Sequence, residues 1–171
     1  MNYQFLANTR LFRGISVDEL EKMLACFSVQ TRQYEKGSLI LRAGQTVSAI
    51  GLVLSGNITI ENNDLWGNRT VMDRLGAGAI FAESYALTPE EILMVDIVAN
   101  EPTEVLFLQT RAILNPCQKS CYSHRALLGN LLAISSQKNL HMSRHILHTS
   151  PKTIRGRLLS YLSFFAQKEG N

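Results

Sequence analysis

Residues 50–61, which read IGLVLSGNITIE, decide the fold of this chain. Two apolar runs, Ile50–Leu54 and Ile58–Glu61, flank the tripeptide Ser55-Gly56-Asn57. Glycine and asparagine tolerate positive φ, and such a tripeptide between β-type runs is typical of a β-hairpin. We therefore predict two paired strands joined at Gly56.

The β pattern continues on both sides of this stretch. Seven of the eleven glycines lie between residues 37 and 78, where they separate short runs of β type. Further strands are predicted at Arg69–Asp73, Met94–Ala99 and Val105–Gln109. Short strands at such close spacing favour a β-roll, also described as a double-stranded β-helix or jelly-roll, over a parallel sheet.

Helical patterns precede and follow the strands, so the predicted fold class is α+β. Ser16-Val17-Asp18-Glu19 has the form of a capping box, which predicts a helix over residues 17–28. Beyond the last strand the pattern predicts a short helix at 111–120, interrupted near Pro116, and a long helix at 123–148. Ser150 and Pro151 are predicted as the N-cap and first residue of a final helix that covers about 152–168.

The long helix carries an apolar seam with the spacing of a coiled coil. Its members lie 4, 3, 4, 3 and 4 residues apart: Leu128, Leu132, Ser135, Asn139, Met142 and Ile146. A second stripe runs beside it through Leu127, Leu131 and Ile134. We expect one stripe to cover the β-roll and the seam to meet the same helix of a second copy, which predicts a homodimer. The alternative is that both stripes are buried within a monomer.

Charge is unevenly distributed along the chain. The net charge is +3, but residues 1–116 hold 9 Lys and Arg against 13 Asp and Glu, whereas residues 117–171 hold 8 against 1. A basic last third predicts either an end that faces a polyanion or simply a solvated basic helix. The content of 46% apolar and 18% charged residues predicts a folded core. No apolar run is long enough to span a bilayer, and three cysteines are too few for a disulfide scaffold, so we expect a cytoplasmic protein.

Several stretches together resemble one family, the Crp/Fnr transcription regulators, to which the cyclic-AMP receptor protein belongs. They are Leu11–Ile15, Tyr34–Gly37, Gly44-Gln45, Ile50–Gly56, Gly78–Ser84, and the long helix with its Ser-Pro restart. The resemblance implies a cyclic-nucleotide-binding-type β-roll with its N-terminal helix over 1–122 and a dimerisation helix over 123–149. It further implies that 150–171 begin a DNA-binding domain, whose winged helix-turn-helix is missing from this sequence.

The same resemblance implies a ligand site. Members that bind cyclic AMP place a Gly-Glu pair on the ribose and an arginine followed by serine or threonine on the cyclic phosphate. Glu83 matches the glutamate, but Ala82 stands in place of the glycine, and Leu93 and Met94 stand in place of the arginine and serine. Without the arginine we expect cyclic AMP binding to be lost, because a guanidinium is the bidentate partner of the phosphate.

The expected ligand is therefore an uncharged or aromatic small molecule, and the alternative is a vestigial pocket without ligand. The residues expected to line the pocket, the last of them on the long helix, are Phe81, Glu83, Ser84, Tyr85, Leu93, Met94 and Asn139.

No cofactor is expected, although two groups of side chains have metal-ligand spacing. Cys117, Cys121 and His124 lie at i, i+4 and i+7, as a zinc corner or redox pair would, but a fourth ligand is not evident. His141, His145 and His148 repeat that spacing and could hold a metal or haem, or form a basic flank.

An enzymatic role is not expected. The strand region contains no histidine, which excludes a cupin-type metal site, and Glu83 alone does not make a catalytic group. Lys152, Arg155 and Arg157 could contact a DNA backbone, but three phosphate contacts give only weak, salt-sensitive binding. The sequence thus predicts an effector-sensing and dimerisation domain of a bacterial regulator. The alternative is a stand-alone small-molecule-binding domain that acts through a protein partner.

Overall fold

The computed structural model describes residues 1–27, 29–64, 66–115 and 122–169. The chain divides into two compact units, Met1–Leu131 and Leu132–Asn171, and each is described by itself. The elements in chain order are α1 Tyr3–Ala7, α2 Val17–Cys26, β1 Val29–Tyr34, β2 Leu39–Leu41, β3 Ala49–Ser55, β4 Asn57–Asn63, β5 Arg69–Gly76, β6 Ile80–Phe81, α3 Glu83–Leu87, β7 Asp96–Ala99, β8 Thr103–Gln109, α4 Thr110–Leu114, α5 Tyr122–Thr149 and α6 Ile154–Glu169.

Within the described residues, the strands form two antiparallel sheets of four strands, and the α+β prediction is confirmed. One sheet has the order β1-β8-β3-β6 and the other β2-β7-β4-β5. In the first, β8 lies between β1 and β3, with Leu106 opposite both Thr31 and Leu52. In the second, β4 lies between β5 and β7, with Ile60 opposite both Asp73 and Ile97.

The hairpin predicted at Ser55-Gly56-Asn57 is wrong. β3 and β4 are consecutive in the chain, but they belong to different sheets, since β3 pairs with β6 and β8 whereas β4 pairs with β5 and β7. Gly56 has φ of +78°, and a Cβ there would lie 2.6 Å from the carbonyl oxygen of Pro102. The glycine therefore turns a corner between the sheets, with the same positive φ that a hairpin turn would need.

The core of the roll draws on both sheets. Val53, Phe81, Val105 and Phe107 come from the first sheet and meet apolar side chains of the second in one buried cluster, which also contains Ile40, Ile58, Ala82, Ile97 and Ala99. The Phe81 and Phe107 rings stand edge to face, 6.3 Å apart. The Phe81 ring also packs directly against the backbone of Gly51, where a Cβ would overlap the ring.

The helix ends test the capping predictions. Ser16 and Glu19 form the predicted capping box of α2, with Glu19 N donating to Ser16 Oγ and Ser16 N donating to Glu19 Oε2. The predicted start of the last helix at Ser150-Pro151 is wrong. Helix α6 begins at Ile154, Thr153 Oγ1 accepts a hydrogen bond from Gly156 N, and Ser150 Oγ instead donates to the carbonyl of Ile146.

The long helix is confirmed as α5, whose 28 residues run from Tyr122 to Thr149. Helix α4 ends at Leu114. Residues 116–120 of the predicted 111–120 helix, which include Pro116, lie outside the described residues. No described helix combines the length and hydrophobicity that crossing a bilayer requires.

Candidate functional site: the β6–α3 turn and the β1–β8 cavity

The turn between β6 and α3 carries the Ala82-Glu83 pair. Ala82 adopts φ 59° and ψ 10°, the left-handed region, which costs a residue with a Cβ about 1–2 kcal/mol. Glycine adopts this conformation freely, so the turn explains on physical grounds why a glycine suits the position. The Glu83 side chain directly after it is only 4% exposed and opens α3.

The other residues predicted to line a ligand pocket differ in their exposure. Phe81 and Leu93 are buried, Tyr85 is half-buried, Ser84 is exposed, and Met94 is 66% exposed. Leu93 is held by its backbone, since its N–H donates to the carbonyl of Gln45 and its carbonyl accepts from Gly44 N. Asn139 is exposed and belongs to the second unit.

A cavity of about 220 Å³ lies elsewhere in the first unit, between one edge of the roll and the segment before β3. Polar and apolar side chains of β1, β2, β8 and residues 45–49 line it, namely Gln30, Arg32, Tyr34, Ile40, Leu41, Gln45, Thr46, Val47, Ser48, Ala49, Phe107 and Gln109. None of the residues predicted from the family resemblance is among them.

The cavity is built by strand alternation and strand pairing. Residues two apart on a strand face the same side, so Gln30, Arg32 and Tyr34 share one face of β1. The register places Gln30 opposite Phe107, and the Arg32 guanidinium carbon lies 5.8 Å from the centre of the Phe107 ring. Four consecutive residues of β1, from Gln30 to Gln33, are polar, so the sequence does not show which face of the strand is covered. What the strand faces depends on β8, more than seventy positions later.

Several hydrogen bonds involve residues of the cavity wall. Arg32 Nη2 donates to Gln30 Oε1 at 3.0 Å. Ser48 Oγ donates to Gln109 Oε1 at 3.3 Å, and the Ser48 carbonyl accepts from both the N–H and the hydroxyl of Thr110, the first residue of α4. The wall of the cavity is thereby joined to the start of the helical region.

The histidines make contacts within the protein. His124 is buried, its Nε2 meets the carbonyl of Ile113, and its ring packs edge to face against Phe27. Cys117 and Cys121, its predicted companions, lie outside the described residues.

In the second unit, the His148 ring packs against Tyr161 and Phe164, and its Nδ1 meets Ser160 Oγ at 3.1 Å. His141 and His145 are exposed. Across the described parts of the chain, no three His, Cys, Asp or Glu side chains are grouped as metal ligands.

The seam of α5 is exposed over most of its length. Leu132, Met142 and Ile146 are 69%, 60% and 58% exposed, Asn139 is exposed, and Ser135 and Leu128 are half-buried. By contrast, the neighbouring stripe of Leu127, Leu131 and Ile134 is buried. At the start of α6, Lys152, Arg155 and Arg157 are exposed, and Arg157 Nε donates to the carbonyl of Pro151.

The roll with its β6–α3 turn defines a class of protein. The chain belongs to the cyclic nucleotide-binding domain family, whose model matches residues 31–120. A cyclic AMP receptor protein of Thermus thermophilus is 34% identical over 98 residues, which are 57% of this chain and 44% of that protein. The chain therefore spans less than half the length of this curated relative.

Several solved structures share the fold of this chain. The catabolite activator protein of Thermus thermophilus has a TM-score of 0.67 at 26% identity, over 81% of this chain and 62% of that one. The sensor domain of the transcriptional regulator DNR from Pseudomonas aeruginosa has a TM-score of 0.61 at 21% identity, over 88% and 93%. A cyclic nucleotide-binding domain from Methylobacillus flagellatus reaches 0.72 at 18% identity, over 89% and 84%. The chain thus resembles the sensor domains of Crp/Fnr regulators.

Proposed function

We propose that this chain is the effector-sensing and dimerisation part of a Crp/Fnr-type transcription regulator. The observation that carries the proposal is a cyclic nucleotide-binding roll followed by a 28-residue helix whose heptad seam is exposed. A seam with Leu132, Met142 and Ile146 exposed leaves a large apolar surface in water, and a second copy of the same helix matches its spacing. Binding, not catalysis, is the proposed role.

Oligomeric state tests the proposal directly. We expect the chain to sediment as a dimer, and we expect Leu132→Glu with Met142→Glu to produce a monomer. Each seam side chain buried in a dimer contributes about 1.5–3 kcal/mol, so the double variant should weaken association by at least about 100-fold. Analytical ultracentrifugation over a range of concentrations measures the association constant.

Gln137→Glu is the matched control, because Gln137 is exposed on the same helix but lies opposite the seam in the heptad. It should leave the dimer intact. A wild-type chain that stays monomeric at high micromolar concentration would refute the dimer and favour a stand-alone small-molecule-binding domain. The seam is refuted as the dimer interface if Gln137→Glu dissociates the dimer as strongly as the seam variants.

The proposed effector is not cyclic AMP. The family resemblance assigns the phosphate contacts to positions 93 and 94, where a buried leucine and an exposed methionine stand. Neither side chain can donate a hydrogen bond to a phosphate. DNA would be reached through a winged helix-turn-helix module of the regulator, with Lys152, Arg155 and Arg157 adding at most weak contacts to the DNA backbone.

A further inference from the structure

The lining of the β1–β8 cavity has a distinct charge. Of the described residues that line it, Arg32 is the only one with a charged side chain. Within the described residues, the contacts of its guanidinium are the Gln30 side-chain oxygen and the Phe107 ring, and no carboxylate lies within 4.0 Å of it. Arg69 differs, because its guanidinium is paired with Glu61. The described part of the lining therefore presents one positive charge and no carboxylate to a ligand.

The cavity is open to solvent, since Arg32, Gln45 and Ser48 of its lining are exposed, and its volume sets how much of a ligand its walls can cover. A volume of about 220 Å³ equals roughly seven water molecules at about 30 Å³ each. Pockets for drug-sized ligands are larger, about 300–1,000 Å³. A single ring with a short polar arm matches the smaller volume of about 220 Å³.

The shape and chemistry of the walls narrow the ligand class further. Phe107 and Ile40 belong to the core and are each 8% exposed, so a small apolar part of each faces the cavity, and the Arg32 guanidinium carbon lies 5.8 Å from the centre of the Phe107 ring. A guanidinium binds a planar carboxylate through two parallel hydrogen bonds, and one guanidinium balances one negative charge. The amide groups of Gln45 and Gln109 add hydrogen-bonding capacity around the same space.

We infer that the cavity between β1, β8 and residues 45–49 binds a small aromatic carboxylate, with Arg32 on the carboxylate and Phe107 against the ring. This inference rests on the proposed sensing function and gives it a ligand class. The bound ligand would contact residues 45–49, a segment that is hydrogen-bonded to two other parts of the chain. Gly44 and Gln45 share backbone hydrogen bonds with Leu93, and Ser48 accepts from Thr110 at the start of α4.

An NMR titration of the ¹⁵N-labelled chain with phenylacetate tests the inference, with the neutral phenylacetamide as its isosteric counterpart. We expect saturable shifts at the amides of Gln30, Ser48 and Gln109 with phenylacetate. Phenylacetamide should bind about ten- to a hundredfold more weakly, as should phenylacetate to Arg32→Gln, because each lacks the charge-assisted pair. Arg74→Gln, which alters an exposed arginine on β5 outside the cavity, should bind phenylacetate like wild type.

The inference is overturned if phenylacetate gives no saturable shifts up to about 10 mM, where even a weak site is visible. Equal affinity for phenylacetate and phenylacetamide also overturns it, as does an unchanged affinity in a folded Arg32→Gln variant. Shifts centred on Glu83 and Ser84 would place the ligand at the family position and reject the cavity. Sedimentation of the same samples separates the two proposals, since a dimer that does not bind phenylacetate rejects the cavity alone.

Discussion

At the scale of single residues, the turn after β4 is held by one carboxylate. Asp64 Oδ1 accepts from the N–H groups of Trp66 and Asn68 at 3.0 and 2.8 Å, and Oδ2 accepts from Asn68 Nδ2 at 2.7 Å. The side-chain hydrogen bond from Asn68 is the largest cause that holds the pKa of Asp64 below its ordinary value, followed by the backbone N–H of Asn68. The contacts favour the charged form, so they strengthen the turn only while the carboxylate is ionised.

We predict that Asn68→Ala returns the pKa of Asp64 towards its ordinary value. Because the folded-state pKa is lowered, the contribution of Asp64 to stability is present above its ordinary pKa. That contribution is lost as the pH falls through the folded-state value, below about pH 4. A carbon-detected NMR titration of the Asp64 carboxyl group measures the change. Asn8→Ala, at a distant exposed asparagine, is the control, and an Asp64 pKa that is equal in all three proteins would count against the assigned cause.

At the scale of elements, the contact between β3 and β6 depends on a missing side chain. Gly51 pairs with Phe81 across the two strands, and the Phe81 ring covers the place where a Cβ would stand. The backbone of Gly51 has no positive φ that would require glycine. Close packing against Phe81 therefore explains why glycine stands at position 51. This contact could not be read from the local sequence, because Phe81 lies thirty positions later.

We predict that Gly51→Ala destabilises the chain by about 1–3 kcal/mol through overpacking. In a Phe81→Leu background the same substitution should cost clearly less, because the ring that the methyl group meets is gone. Urea unfolding of the four proteins of this cycle measures the coupling. Gly129→Ala is the matched control, since a Cβ there meets nothing within 4 Å and alanine favours the helix by up to about 1 kcal/mol. If the effects of the two substitutions at positions 51 and 81 are additive, the cost of Gly51→Ala does not come from contact with the Phe81 ring.

At the scale of the whole molecule, the family and the ligand are separate questions. The chain has the roll of a cyclic nucleotide-binding domain, but the side chains at positions 93 and 94 cannot hold a phosphate. Each charge-assisted hydrogen bond lost costs about 1.5–3 kcal/mol, which weakens binding about 10- to 100-fold. The change of ligand class that we propose would leave the family's fold intact, because a fold does not fix the ligand.

We predict that isothermal titration calorimetry with cyclic AMP and with cyclic GMP shows no binding at micromolar concentration. The physical reason is the absent guanidinium at position 93, where Leu93 is part of the core. A circular dichroism spectrum and a cooperative urea unfolding transition of the same preparation control for a folded chain. Micromolar affinity for either cyclic nucleotide would contradict the prediction and restore the family position as the ligand site.

The sequence by itself determined the features that depend on neighbours in the chain. The capping box at Ser16 and Glu19, the extent of α5 and the spacing of its seam follow from local hydrogen bonding and helical periodicity, and the structure confirms the first two. That Leu93 and Met94 stand at the family's phosphate position is what the resemblance implies, and it stays a prediction.

Only the tertiary structure decided which strands pair and what their side chains enclose. The signal at Gly56 reports a positive φ, which a hairpin and a corner share, and the pairing edges of β3 are taken by β8 and β6. The cavity likewise lies between β1, β8 and residues 45–49, and the run of polar residues in β1 does not show what either of its faces contacts. Local signals fix backbone angles and periodicity, whereas strand order is decided by burial and by hydrogen bonds between segments that are distant in the chain.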